Sequence, residues 1–310
     1  MTVQDPLIDR VLDRLRRSKG EDHSTYQIYK RGLESYDTWL DMPAEEASTL
    51  DIEDYLLMLK DENYAGNTVM TRLTAVRKLY TMAEEKFEAI DDTPCAGVDL
   101  DELNVYDRRE NDDTPEYITE EEKEQMIENV PEKHHVRDRL IIELFWQTGV
   151  RRDELRNIKL DNVDQERRRI RVFGQKTSTW RTVHFQRSLN RFLDLWIENE
   201  RPLMQDSEYL FPSVRADQIS SAEIGRVIRG AAEEINEVVG ERRDGSPKWR
   251  ITPHTMRHSH AVQALKSGVD VRSVQSQLGH ENIETTMDYM RLVDDDVGDA
   301  YKAFGGSSSV

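Results

Sequence analysis

RRRIRVFG (167–174) and WRTVHF (180–185), separated by QKTST (175–179), are the stretch whose reading decides the fold class. Both runs read as short strands, and together they form a hairpin. The segments around them carry helical patterning instead. Upstream, RLIIELFWQTG (139–149) is an apolar helix ended by Gly149, and DELRNIKL (153–160) is a further helix. ITEEEKEQMIENV (118–130) opens another, with Thr119 as N-cap and Glu122 in the place of its capping-box partner. Downstream, helices resume from Ser220 to Val239, and beyond the loop GERRDGSPKWR (240–250) the tail reads as helical to about Phe304. A hairpin set inside helices predicts a domain of α+β type with a small antiparallel sheet.

Further out, residues 1 to about 90 read as helices alone. STYQIYKRGLESYDTWL (24–40) places Tyr26, Tyr29, Leu33, Tyr36 and Leu40 on one helical face, with Ser24 as N-cap. Asp51 to Leu59 gives a second, shorter helix, and Gly66 to Thr68 punctuates before a third. In NTVMTRLTAVRKLYTMAEEK (67–86) the residues Val69, Leu73, Val76, Leu79 and Tyr80 form a core stripe. Arg72, Arg77 and Lys78 add a basic component there, either a solvated face or a contact to DNA. From Asp91 to Tyr117 the text turns acidic and aperiodic, with two Thr-Pro steps, which predicts a linker on which Val98, Leu100 and Leu103 are able to dock. The division expected is therefore 1–92, a helical domain; 93–117, a linker; and 118–310, a second domain.

Composition bounds the function. The chain has 310 residues, 37% hydrophobic and 34% charged, enough for two domains with ionised surfaces. No run approaches the roughly 18–20 apolar residues of a membrane span, and the first twenty residues lack a signal-peptide core, so a soluble, cytoplasmic protein is expected. The single Cys95 has no second cysteine for a disulfide or a thiolate zinc site. With 61 acidic against 43 basic residues the net charge is −18, which speaks against nucleic acid only if totals are counted. Phosphate binding is local, because ion pairing is screened over about 10 Å at physiological salt. An acidic shell with few lysines also suits a salt-rich cytoplasm, and a halophilic source is expected.

Four patches of the second domain hold residues suited to one task, gripping and attacking a phosphodiester. TGVRRDEL (148–155) puts Arg151 after a helix-ending glycine, where it either answers the carbonyl end of that helix or meets an anion. FGQKTSTWR (173–181) puts Lys176 on the hairpin turn between Arg171 and Arg181, either solvated or reaching a DNA oxygen to which it donates a proton. PHTMRHSHA (253–261) sets His254 and Arg257 three apart on one helical face behind Pro253, with His258 and His260 thickening the cluster. LGHENIETTMDYMRL (278–292) has His280 after a turn glycine and Tyr289 nine residues later. A tyrosine at such a place is ordinarily a core residue. It serves as a nucleophile when cations compensate its developing charge.

In order and spacing these four boxes resemble the signature of the tyrosine recombinase, or phage integrase, family. The match covers nearly all of residues 118–292, and 24–86 resembles that family's N-terminal core-binding domain. The resemblance implies a mainly α fold: a helical, SAM-like core-binding domain and an α+β catalytic domain. It implies a site-specific recombinase that needs no cofactor and no metal, acts on double-stranded DNA, and works as a homo-tetramer on two DNA sites. By the same resemblance Arg151 and Arg257 hold the scissile phosphate, Lys176 protonates the departing 5′ oxygen, and His254 moves protons with the nucleophile. His280 hydrogen-bonds the phosphate, and Tyr289 forms the 3′-phosphotyrosine. Val297, Ala300, Tyr301 and Phe304 of the tail would dock on a neighbouring protomer or on their own domain. Two other readings remain open: a type IB topoisomerase, which relaxes supercoils without strand exchange, and a DNA-binding protein that kept the fold and lost the reaction. The absence of a long N-terminal extension leans toward chromosome-dimer resolution or a simple integrase.

Overall fold

A computed structural model describes residues 5–21, 23–103, 115–174, 178–241, 246–279, 289, 290 and 293. The chain divides into two compact units, Met1–Asp112 and Asp113–Val310.

The first unit is helical: α1 (Pro6–Lys19), α2 (Ser24–Trp39), α3 (Thr49–Asp61), α4 (Gly66–Glu85) and the single turn α5 (Leu100–Leu103). Asp5 starts α1 by accepting from the N–H groups of Leu7 at 2.8 Å and Ile8 at 3.1 Å, with Pro6 at the first helical position. Its second oxygen accepts from Ala44 N–H at 2.9 Å, so one carboxylate fixes the entry of α1 and the turn before α3. The cap of α2 is His23, whose Nδ1 accepts from Thr25 N–H at 3.2 Å; Ser24, the expected cap, is the first helical residue. A ring nitrogen does the work normally sought from a hydroxyl, which is why the sequence reading missed it by one position. Where α2 crosses α4 the backbones nearly touch, since a Cβ at Gly32 would sit 2.4 Å from that of Ala75. The core between them is aromatic: the Tyr80 hydroxyl donates to Ala44 O at 3.0 Å and lies 2.9 Å from that of Tyr36. These two bonds satisfy polar atoms that would otherwise each cost about 1–3 kcal/mol in a buried site.

The segment read as linker is partly folded onto this unit. Pro94–Gly97 makes a 3-10 turn, Cys95 is buried in the helical core, and Val98, Leu100 and Leu103 pack against it. Burial pushes the Cys95 thiol up to about 11, so it behaves as a small apolar side chain. Val98, Leu100 and Leu103 dock as the sequence suggests, while three apolar residues with no periodicity give no signal for the turn that seats them.

The second unit runs α6 (Glu120–Glu128), α7 (His135–Thr148), α8 (Arg152–Arg156), β1 (Val163–Asp164), β2 (Arg169–Gly174), β3 (Thr179–His184) and α9 (Ser188–Leu195). It continues with α10 (Ser221–Ala231), β4 (Val238–Glu241), β5 (Pro247–Trp249), α11 (Pro253–Lys266) and α12 (Val271–Leu278). Thr119 and Glu122 cap α6 reciprocally. Apolar residues surround α7 on several sides, with Leu140, Ile141, Ile142, Leu144 and Phe145 all buried, so it runs through the core with other elements packed around it. Strands β1, β2 and β3 form one antiparallel sheet in that order, with Phe173 opposite Trp180 and Ile170 opposite Val183. Ile170, Val172 and Val183 point into the core, the alternation expected of a half-buried sheet.

One element departs from expectation. The helix starting after Ser220 ends at Ala231, and Val238–Glu241 (β4) pairs antiparallel with Pro247–Trp249 (β5), where a helix end and a loop were expected. All four residues of β4 are exposed, so the strand carries no apolar alternation for a sequence reading to find. Among the described residues no helix is long and apolar enough to cross a membrane.

Candidate active site

The site is built around the end of α7. Gly149 closes that helix in the left-handed region at φ 60°, and a Cβ there would meet His260 and Leu278 at 2.6 Å. Only glycine lets the chain turn so close beneath α11 and α12. Two residues on, Arg151 is the N-cap of α8, and its N–H donates to Glu154 Oε2 at 2.7 Å. The guanidinium of Arg151 returns to the same carboxylate, Nη1 to Oε1 at 3.0 Å. Arg181 of β3 grips Glu154 from the other side with both Nη atoms, at 2.6 and 2.8 Å. Burial alone would push the Glu154 carboxyl up, but Arg181 and then Arg151 outweigh it and hold the group below the usual carboxylate range.

Helix α11 brings the second arginine. Thr252 and Thr255 cap it, Pro253 takes its first position, and His254 stands exposed at the rim of a cleft of about 470 Å³. One turn deeper, Arg257 is 3% exposed and donates to Gly149 O at 2.6 Å and Leu278 O at 2.7 Å. Arg151 Nη2 donates to Gly279 O at 3.1 Å. Two guanidiniums from separate helices thus converge on the carbonyl ends of α7 and α12, where the helix dipoles favour cations. The cleft is lined by both, with His254, Arg152 and Arg229. Burial, then the charge of Arg151, pushes the Arg257 guanidinium down to about 9, which leaves it charged at neutral pH. Desolvation, then Arg257 and Arg151, holds the His254 imidazole below its ordinary value, so it is neutral where these arginines are charged. Such an arrangement offers a dianionic or pentavalent phosphate two fixed forks with paired donors.

Tyr289 lies behind the cleft. It is 2% exposed in a small core with Ala261, Val262, Val274 and Leu278. Its Oη is 2.5 Å from His258 Nδ1, and the His258 ring meets that of His254 edge-on at 4.2 Å. Phenol and cleft are therefore connected through two imidazoles of one helix face. His260 faces elsewhere: its Nδ1–H donates to Trp146 O at 2.8 Å, and burial pushes its pKa down to about 4.

That depression has a measurable consequence. The unfolded imidazole titrates near 6.5, so its neutral form in the fold contributes stability that is fully present above that pH and is lost as pH falls toward 4. The gap corresponds to about 3 kcal/mol. Urea unfolding at pH 7.5 and 4.5 should show a steeper acid loss in the wild type than in His260→Gln; parallel losses would show that another group carries it.

Of the residues expected from the sequence, Arg151, His254, Arg257 and Tyr289 come together around α11, while Lys176 and His280 lie outside the described residues. So do the tail residues Val297, Ala300, Tyr301 and Phe304. Arg181, which flanks the hairpin lysine in the sequence, points inward to Glu154, with 14% of its side chain exposed. The reason is that β3 packs beside α12 and α8, which present a buried carboxylate and the Gln277 carbonyl, at 3.0 Å from Arg181 Nε. In the first unit Arg77 is exposed, whereas Arg72 donates to Arg31 O and lies 6.0 Å from the Tyr64 ring. Lys78 lines a basic groove with Arg10, Arg14, Arg17 and Lys86. The sequence reading missed the Glu154 hub and the His258 contact. Glu154 had a signal in its capping spacing from Arg151; His258 had none beyond its share in a histidine cluster.

The chain thus has a helical first unit, and a second in which two arginines and a tyrosine gather around α11 beside a small antiparallel sheet. Residues 116–295 match the phage integrase family and residues 8–86 match its N-terminal SAM-like domain. The chain belongs to the phage integrase family, the tyrosine recombinases, and its activity is site-specific recombination. Tyrosine recombinase XerD of Staphylococcus saprophyticus is 28% identical over 97% of this chain and 98% of its own. Tyrosine recombinase XerD of Pseudomonas aeruginosa is 28% identical over 94% of each. Among solved structures, XerH site-specific recombinase bound to palindromic difH substrate in a post-cleavage complex shares the fold, with a TM-score of 0.72 over 98% of each chain at 17% identity.

Proposed function

We propose that Arg151 and Arg257 hold the scissile phosphate of a double-stranded DNA site in the cleft beside His254, and that Tyr289 attacks it. The observation that carries this reading is the convergence of two anchored guanidiniums on one cleft, with the Tyr289 phenol linked to the same helix. Attack forms the bond from Tyr289 Oη to phosphorus and breaks the bond to the 5′ oxygen, leaving a 3′-phosphotyrosine and a 5′ hydroxyl. One phosphodiester replaces another, so the bond energy is retained and a partner strand's hydroxyl can reverse the step without a nucleotide. The forks of Arg151 and Arg257 stabilise the added negative charge of the transition state. On this reading Lys176 protonates the leaving oxygen and His280 hydrogen-bonds the phosphate. His254 at the rim takes part in proton transfer. The first unit, with Arg72, Arg77 and Lys78, forms the other half of a clamp on the duplex, and four protomers act on two sites in the cytoplasm.

The test is covalent trapping. The full chain is incubated with nicked suicide duplexes drawn from its host DNA, and a denaturation-resistant adduct is mapped by mass spectrometry. An adduct at Tyr289 is expected. DNA binding without an adduct at low and at multimolar KCl would mark a catalytically silent binder, and relaxation of supercoils without strand exchange would mark a type IB topoisomerase. The net charge of −18 bears on the conditions. Self-repulsion of an acidic surface weakens the compact state unless salt screens it, so the melting temperature should rise from low to multimolar KCl. A flat or falling curve would remove the halophilic reading.

A further inference from the structure

We propose that His258 is the proton acceptor for the Tyr289 nucleophile. This deepens the reading above and rests on it. A protonated phenol is a weak nucleophile, so Tyr289 must lose its proton during attack. His258 Nδ1 lies within hydrogen-bond reach of that proton, 2.5 Å from Oη. His254, to which the resemblance assigns proton transfer, stands one turn away at the cleft rim, with its ring edge-on to His258 at 4.2 Å. Residues four apart on a helix share a face, so α11 sets the two imidazoles in a row from phenol to cleft.

The step balances as follows. The Oη–H bond breaks and its proton goes to Nδ1 of a His258 tautomer protonated on Nε2, while the oxygen pair forms the bond to phosphorus. The phosphorus to 5′-oxygen bond breaks, and that oxygen takes a proton from the leaving-group side, where Lys176 is assigned. An imidazole has a basicity suited to neutral pH and stays near its partner because both are anchored, His258 in α11 and Tyr289 in the core beneath it.

A buried tyrosine also commonly hydrogen-bonds a histidine for packing alone, and the experiment separates the two roles. In His258→Asn the side-chain amide oxygen lies near the place of Nδ1 and still accepts from Oη, but it cannot take the proton. The full chain, wild type and variant, is given a suicide duplex and the rate of adduct formation is followed from pH 6 to 9. The wild type must form the Tyr289 adduct; if it forms none, the underlying reading fails and the role of His258 falls with it. Given that adduct, His258→Asn is expected to melt and to bind DNA as the wild type does, while cleaving about 100-fold more slowly at pH 7. Its deficit should shrink as pH rises toward the phenol's own range. A second substrate, with sulfur replacing the bridging 5′ oxygen at the cleaved bond, has a leaving group that departs unprotonated. The His258→Asn deficit should persist on it. Cleavage by His258→Asn within about threefold of wild type with an unchanged pH profile would overturn the proposal, and so would rescue by the sulfur substrate, which would place His258 on the leaving-group side.

Discussion

Arg257→Lys is expected to slow covalent adduct formation by about 10²- to 10³-fold and to lower the melting temperature by roughly 5–10 °C. Both effects come from one fork. The Arg257 guanidinium spans Gly149 O and Leu278 O, the carbonyl ends of two helices, and is 3% exposed. An ammonium on a single carbon stem reaches one of those carbonyls and leaves the other buried without its donor, which costs about 2–3 kcal/mol. The same planar group is what presents paired donors to a phosphate, and a point charge displaced toward either carbonyl presents fewer. Single-turnover trapping and scanning calorimetry read the two losses separately. A lowered melting temperature with a wild-type cleavage rate would make Arg257 a strut between helices and remove it from the phosphate.

Glu154→Gln is expected to cost about 3–5 kcal/mol at pH 7, the usual penalty for leaving buried charge without its partner. Glu154 is 3% exposed and holds Arg181 by two bonds, Arg151 by its guanidinium and by its N–H. An amide keeps the shape, yet it neutralises neither arginine and turns an N–H toward donors that need acceptors. Because Arg151 loses the contact that aims it, adduct formation should fall as well. The pH dependence gives a signature. The folded carboxyl titrates below its unfolded value of roughly 4.3, so its stabilisation is present above that pH and disappears as pH falls through the folded value. The gap between wild type and variant in urea unfolding should therefore be full at pH 7 and close under strong acid. A gap that stays constant with pH would show that the loss is one of packing and not of charge.

What could be read in advance follows from range. The hairpin 167–185, the apolar α7, the Thr119 capping box and the four boxes holding Arg151, Lys176, His254, Arg257, His280 and Tyr289 are all local patterns. Each is a run of side chains whose period, cap or spacing is complete within about twenty residues. The hairpin β4 with β5 was not legible because exposed strands lack alternation, and the His23 cap because an imidazole rarely fills that place. The docking of Val98, Leu100 and Leu103 was legible as apolar positions in a polar segment, whereas the 3-10 turn Pro94–Gly97 that carries Cys95 into the core was not.

The amino-acid sequence by itself determined the class of the two units, the family and the candidate residues of the site. Only the tertiary structure decided who holds whom. Arg181 turns inward because a carboxylate 27 positions earlier is buried beside its strand. Gly149 must be glycine because α11 and α12 pass over it, and His258 meets Tyr289 because a helix and a residue 31 positions later share one small core. Pairings of this kind depend on where burial leaves a charge or a hydroxyl in need of a partner. That need arises only once the chain has packed, so no local pattern of residues records it.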